Sequence, residues 1–235
     1  MNPKVSVLVP VYNVSRFIQK CAQSLFEQTF ESIEFIFVND CSTDNSIYLL
    51  QKLIDKYPQR QSHTKIINHA KNCGIAETRN TLLKEACGDF LIWVDSDDYL
   101  SLNAVELLYN KAITDNADIV TTQSYFVLES EDTIKLISQQ FPKNKEDYIQ
   151  SLAYRNVRAA LWGTLSKRSL WYENQISFVN GVNFGEDYFV TIQLFYFSKR
   201  YIVENQPIYY YNQFNITSYS SGKKTEMHFK SIILV

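Results

Sequence analysis

Three carboxylates stand within four residues at Asp95-Ser96-Asp97-Asp98, directly after the apolar run Phe90-Leu91-Ile92-Trp93-Val94. Neighbouring carboxylates repel by roughly 1 kcal/mol per pair in water and by about 4 kcal/mol where the effective dielectric is near 20. Something positive should offset them. Helix capping accounts for one at most: aspartate favours helix N-termini, but the next helical pattern starts near Leu102 and Ser101 is already placed to cap it. A divalent cation held by oxygen ligands and completed by phosphates suits the others. Further acids lie in Asn39-Asp40-Cys41-Ser42-Thr43-Asp44 and in Gly185-Glu186-Asp187. For Asp40 and Asp44 the alternative is a turn and a cap. For Glu186 and Asp187 it is attraction to a helix N-terminus, worth about 0.3–1 kcal/mol.

The elements that carry these residues alternate. Val5 to Pro10 reads as a strand, Ser15 to Gln28 as an amphipathic helix, Ile33 to Val38 as a second strand, and Ile47 to Ile54 as a second helix. Lys65-Ile66-Ile67 is a short third strand, Asn72-Cys73-Gly74 a turn, and Ile75 to Ala86 a helix with Gly88 just beyond its end. The Phe90 run, apolar on both faces, is the fourth strand. Such alternation predicts a doubly wound, mainly parallel α/β sheet with ligands outside the carboxyl ends of its strands. Pro10 to Asn13, Asn39 to Asp44 and Asp95 to Asp98 all leave that edge. The first loop lacks the glycines a dinucleotide pyrophosphate requires, which excludes a dehydrogenase.

After Asp98 the pattern weakens: a helix from Leu102 to Asp115, a strand from Ile119 to Val127, a polar turn at 129–132, a helix from Tyr148 to Tyr154, and a strand over Leu161 to Leu165. An apolar helix follows Glu186-Asp187 to near Phe197, and Pro207 to Tyr211 is a late strand. Val190, Leu194 and Phe197 follow Asp187 at helical spacing, so Asp187 is expected to face inward and Glu186 to point elsewhere. A helix N-terminus would also keep the Asp187 carboxylate ionised.

The 235 residues carry 23 Lys plus Arg against 25 Asp plus Glu, a balance with no nucleic-acid footprint. Aromatic content is 14%, with 16 Tyr and 15 Phe concentrated in the second half, as an acceptor-facing surface would need. The cysteines at 21, 41, 73 and 87 show neither zinc-site pairing nor disulfide-scaffold density, so free thiols in a cytoplasmic, reducing compartment are expected, with the sequons at Asn13 and Asn215 unused. No apolar run reaches about 18 residues, and no signal-peptide core is seen. His63, His69 and His228 share no ligand spacing and are assigned no role.

As an ordered set, Val5 to Asn13, Asn39 to Asp44, Arg79-Asn80, Asp95 to Asp98 and Gly185-Glu186-Asp187 resemble the inverting family-two nucleotide-sugar glycosyltransferases of the GT-A fold, over about residues 4 to 215. The resemblance implies transfer of a sugar from a nucleoside diphosphate donor, first of all a UDP-sugar, to a hydroxyl of a saccharide or glycolipid acceptor. It implies that Pro10, Val11 and Tyr12 lie against the base, that Asp40 accepts a hydrogen bond from it, and that Asp95 and Ser96 face the ribose side. Asp97, with Asp95, would ligate Mn²⁺ or Mg²⁺. Arg79 would approach the diphosphate, with Lys167 and Arg168 as further candidates, and Asp187, or else Glu186, would be the catalytic base. Arg79 could equally be a solvated surface charge, and residues such as Lys167 and Arg168 are more often merely exposed than functional. Rival readings are a nucleotidyltransferase, whose glycine-rich first loop is absent, and an inactive relative that binds a sugar nucleotide or glycan.

One domain is expected over residues 1–215, with 1–100 as the nucleotide half and 101–215 as the acceptor half. The stretch 216–235 is expected to begin a truncated helical extension, with Met227, Phe229, Ile232 and Ile233 on an apolar face that could touch a membrane. The family pattern Asp-Asp-Gly-Ser is here Asn39-Asp40-Cys41-Ser42, and cysteine lacks glycine's freedom at positive φ, so a differently shaped turn is expected.

Overall fold

The computed structural model describes residues 2–128 and 133–215; the expected turn at 129–132 and the extension at 216–235 lie outside them. In chain order the elements are β1 (Val5–Val11), α1 (Ile18–Phe26), β2 (Ile33–Asn39), α2 (Ser46–Ile54), α3 (Pro58–Gln61), β3 (Thr64–Asn68), α4 (Ile75–Glu85), β4 (Phe90–Trp93) and β5 (Tyr99–Leu100). There follow α5 (Ala104–Thr114), β6 (Ile119–Val127), β7 (Ile134–Ile137), α6 (Lys145–Ala153), β8 (Leu165–Lys167), α7 (Arg168–Glu173), α8 (Glu186–Phe197) and β9 (Tyr201–Asn212). They build one sheet in the order β3-β2-β1-β4-β8-β6-β9-β5, with β7 paired to β6. The first four strands are mutually parallel. From β8 onward the pairings are antiparallel apart from β6 with β9.

Alternation of side chains along each strand divides the core into two layers. Val5, Val7, Val9 and Val11 of β1 join Phe35 and Phe37 of β2 under α1, α2 and α5, while Leu8, Ile36 and Val38 join Leu91 and Trp93 under α4, α6 and α8. Burial of each such side chain contributes about 1.5–3 kcal/mol. Gly88 is needed for close approach: a Cβ there would lie 2.6 Å from the Ser6 backbone nitrogen.

The chain runs outward from β1 to β3 and then returns to β4 on the other side of β1, so the sheet's topological switch point lies between β1 and β4, where ligands bind in open α/β sheets. The loops after Val11 and Trp93 open there.

Several expectations are corrected. The Ser101 hydroxyl does not cap α5: it is buried without a partner among the described residues, and Gln28 of the α1 turn supplies the oxygen instead, accepting from Val105 N at 3.0 Å. The strand expected over Leu161 to Leu165 begins only at Leu165, because Gly163 turns to φ +69 and Trp162 makes a single bridge to Trp93. The late strand is longer than Pro207 to Tyr211. It is interrupted opposite Thr122 to Ser124, beside the proline, whose missing N–H confines it to edges and bulges.

Candidate active site

The acids after β4 occupy different environments. Asp98 is buried and turned into the fold, where it accepts hydrogen bonds from the Tyr209 hydroxyl at 2.6 Å and from Asn212 N at 2.7 Å. Burial and the neighbouring Asp97 and Asp95 charges push its carboxyl well above the ordinary range. The Tyr209 hydroxyl also accepts from Asp95 N at 3.1 Å, so one side chain of β9 braces both ends of the loop. Asp97 accepts from Asn215 Nδ2 at 2.7 Å, and burial together with the Asp95 charge pushes it up to about 6. Ser96 is buried between them.

Asp95 is tied across the crevice. Arg79 of α4 donates to Asp95 Oδ1 at 3.0 Å and to Glu186 Oε1 at 2.6 Å, which links the β4 loop to the first turn of α8. Burial opposes the Arg79 charge, but Glu186 and Asp95 outweigh it and hold the guanidinium protonated. The expected orientation of the two α8 acids is therefore corrected. Glu186 is buried and ion-paired, while Asp187 is partly buried and makes no ion pair among the described residues. Nor does the helix N-terminus prevail over its surroundings: burial and the Glu186 charge push Asp187 up to about 7, with Arg79 opposing.

Of these five acids, Asp95 and Glu186 are paired with Arg79, and Asp97, Asp98 and Asp187 make no ion pair among the described residues. The donor set at Asp95 and Asp97 is all oxygen, Asp97 is buried beside a second carboxylate, and a hard divalent cation fits both facts.

Asp40 sits one residue past β2, buried, with both oxygens engaged. Cys73 N at 2.8 Å and His69 Nδ1 at 2.9 Å contact Oδ1, and Gly74 N donates to Oδ2 at 2.8 Å. Gly74 has φ +86, and a Cβ there would lie 2.5 Å from Asn183 Oδ1, so the α4 entry needs glycine. Asn183 in turn accepts from Ala76 N at 3.3 Å, closing the α4 N-terminus from a loop next to α8. Cys41 adopts φ +62, so the turn places a cysteine in the left-handed region that favours glycine. Asp44 follows its bland alternative: it accepts from Ser15 N and Ser46 N, each at 2.9 Å, and braces the start of α2. Pro10 and Val11 belong to β1 and are buried; Tyr12, 48% exposed, is the member of that trio open to a ligand.

Lys167 and Arg168 are not brought to the site. Lys167 pairs in register with Phe90, the first residue of β4, and at about 3.3 Å per residue Asp95 lies some 16 Å farther along. Lys167 meets Asp118 at 2.8 Å and Arg168 donates to Gly88 O at 2.8 Å. Residues that sequence reasoning missed are His69, Asn183, Tyr209 and Asn212. The two strand residues could have been found by asking which polar groups answer a buried Asp98, whereas His69 and Asn183 carry no local signal.

Comparison with known proteins agrees with this architecture. EpsH of Bacillus subtilis, named as a glycosyltransferase, is 32% identical over 216 residues, 89% of this chain and 60% of EpsH. A poly(ribitol-phosphate) beta-glucosyltransferase of Bacillus spizizenii is 29% identical over 211 residues, 88% of this chain and 32% of its own. This chain thus spans about 60% of EpsH and less of the other. The crystal structure of S. aureus TarS 1-349 in complex with UDP-GlcNAc superposes with a TM-score of 0.81 at 22% identity, over 98% of this chain and 65% of that one, a likeness of fold. Residues 6–170 match the family described as Glycosyl transferase family 2, and with that match the chain belongs to this family.

Proposed function

We propose that the chain transfers a sugar, with inversion, from a UDP-sugar to a hydroxyl of a saccharide or glycolipid acceptor, using a divalent cation. The observation that carries this reading is the Arg79 bridge, which joins the acid loop after β4 to the α8 turn that bears Asp187. A metal-binding pair of acids and a second acid across a crevice are the minimal equipment for displacing a nucleoside diphosphate and deprotonating an acceptor. Support also comes from the UDP-GlcNAc in the TarS structure and the glucosyl transfer named for the Bacillus spizizenii relative.

In this reading Asp95 and Asp97 hold Mn²⁺ or Mg²⁺, and when bound the cation offsets the charge that grows on the departing diphosphate. Tyr12 lies against the base. Asp40 retains acceptor capacity on Oδ2 for a base N–H, since a carboxylate offers about four lone-pair positions. Arg79, neutralised by two carboxylates, positions Asp95 and Glu186 and does not grip the diphosphate itself. Asp187 takes the acceptor proton, and a carboxyl near neutrality is matched to that role.

A panel of UDP-, GDP- and dTDP-sugars with Mn²⁺ tests the reading through thermal shift and release of nucleoside diphosphate. A donor that both stabilises the chain and is turned over supports it. Stabilisation with no release, even slowly into water and with acceptors present, identifies an inactive binder.

A further inference from the structure

We infer that Asp40, His69 and Cys73 form a second metal site, suited to a thiophilic divalent ion such as Zn²⁺ and made of none of the acids after β4. One ligand atom from each of the three lies within 4.8 Å of the other two, and carboxylate, imidazole and thiolate are the donors zinc takes. Their convergence follows from the sheet. Asn39 and Asn68 are register partners at the ends of β2 and β3, so Asp40 and His69 leave the same edge side by side, and His69 N is fixed on Asn39 O at 2.9 Å. Cys73 is brought in because its own N–H, and that of Gly74, are held by the Asp40 carboxylate.

The supporting contacts are those of a ligand set. His69 Nε2 lies 3.0 Å from Thr81 Oγ1, which leaves Nδ1 as the ring nitrogen facing Asp40, and a hydrogen bond on the second nitrogen is what orients a metal-bound imidazole. Tetrahedral zinc with bonds of about 2.0 Å separates its ligand atoms by roughly 3.3 Å. The Nδ1 to Oδ1 contact of 2.9 Å therefore has to open by only a few tenths of an ångström. Asp40 and the His69 side chain are already largely withdrawn from water, while Cys73 is partly exposed and gives the ion a way in. Binding at Nδ1 moves the His69 ring proton to Nε2, where Thr81 Oγ1 can accept it, and releases the thiol proton. Thiolate and imidazole together favour Zn²⁺ and Co²⁺ over Mg²⁺ and Mn²⁺.

Cobalt titration of the intact chain in excess Mg²⁺ tests the site without reference to transfer activity. The expected result is one saturable equivalent with a thiolate-to-cobalt charge-transfer band. Cys73→Ser should remove the band and weaken binding at least about tenfold, and His69→Gln should weaken binding by a similar factor while the bound fraction keeps its band; Cys41→Gly and Cys87→Ser should retain both. In the wild-type chain Zn²⁺ should protect Cys73, and not the exposed Cys87, from alkylation read by mass spectrometry, which decides the matter if Cys73→Ser fails to fold. No thiolate band, a band that survives Cys73→Ser, or equal alkylation of Cys73 with and without Zn²⁺ overturns the site.

Discussion

Arg79 Nη1 and Glu186 Oε1 lie 2.6 Å apart although 107 residues separate them in the chain. The same guanidinium reaches Asp95, so a single buried cation ties the α4 helix, the β4 loop and the α8 turn together. Removing one member of a buried pair leaves the other charged and unsolvated, at a cost of about 3–5 kcal/mol. Arg79→Ala should lose stability of that order in urea unfolding. Glu186→Gln, which keeps a hydrogen-bond acceptor, should lose less. Loss under 1 kcal/mol for Arg79→Ala (about one ordinary hydrogen bond) would show that the bridge is incidental.

Asp97 and Asp98 both hold their protons more tightly folded than unfolded. A group with a raised native pKa contributes stability at low pH that disappears as pH rises through the folded value. The metal-free chain should therefore become less stable between about pH 4 and pH 7 through these groups. Because metal competes with protons for carboxylates, stabilisation by Mn²⁺ should be larger near pH 7.5 than near pH 5.5. Calorimetry of UDP binding should show an Mn²⁺ enhancement that Asp97→Ala abolishes. Equal affinity with and without chelator in the wild type would remove the metal assignment.

Asp187 is pushed up to about 7 by burial and by Glu186. As the base it must be deprotonated, so transfer should rise as pH passes through about 7 and level off above it. Asp187→Asn should lower transfer by about 10²–10⁴-fold with UDP affinity unchanged, and the pH dependence should go with it. Near-wild-type transfer by this variant would assign the proton to another group.

Cys41 at φ +62 holds a conformation that costs an L-residue roughly 1–2 kcal/mol. Glycine removes that strain but gains freedom in the unfolded chain. Cys41→Gly should stabilise by about 0.5–1 kcal/mol in denaturant titration, whereas Cys41→Val, branched at Cβ, should destabilise. A neutral or destabilised glycine variant would show that Cys41 is held by contacts stronger than its backbone strain.

Strand and helix alternation up to Phe90, the parallel arrangement, and the clustering of Asp40, Asp95 and Asp97 at one edge were determined by local pattern: hydrophobic period sets the element, and a parallel sheet puts every strand's carboxyl end on the same side. Long-range pairing decided the rest. Lys167 stands in the sequence among candidate cations, yet antiparallel pairing of β8 with β4 sends it to the far edge. Glu186 and Asp187 are adjacent in a helix start, and only the position of Arg79 determines which is neutralised. Asp98 stands in the same acid cluster in the sequence, yet Tyr209 and Asn212 of β9 take both its oxygens. His69, without any ligand spacing in the sequence, becomes Asp40's partner because β2 and β3 end in register. Charge and periodicity are properties of a segment, whereas the partner of a buried charge is a property of the packing around it.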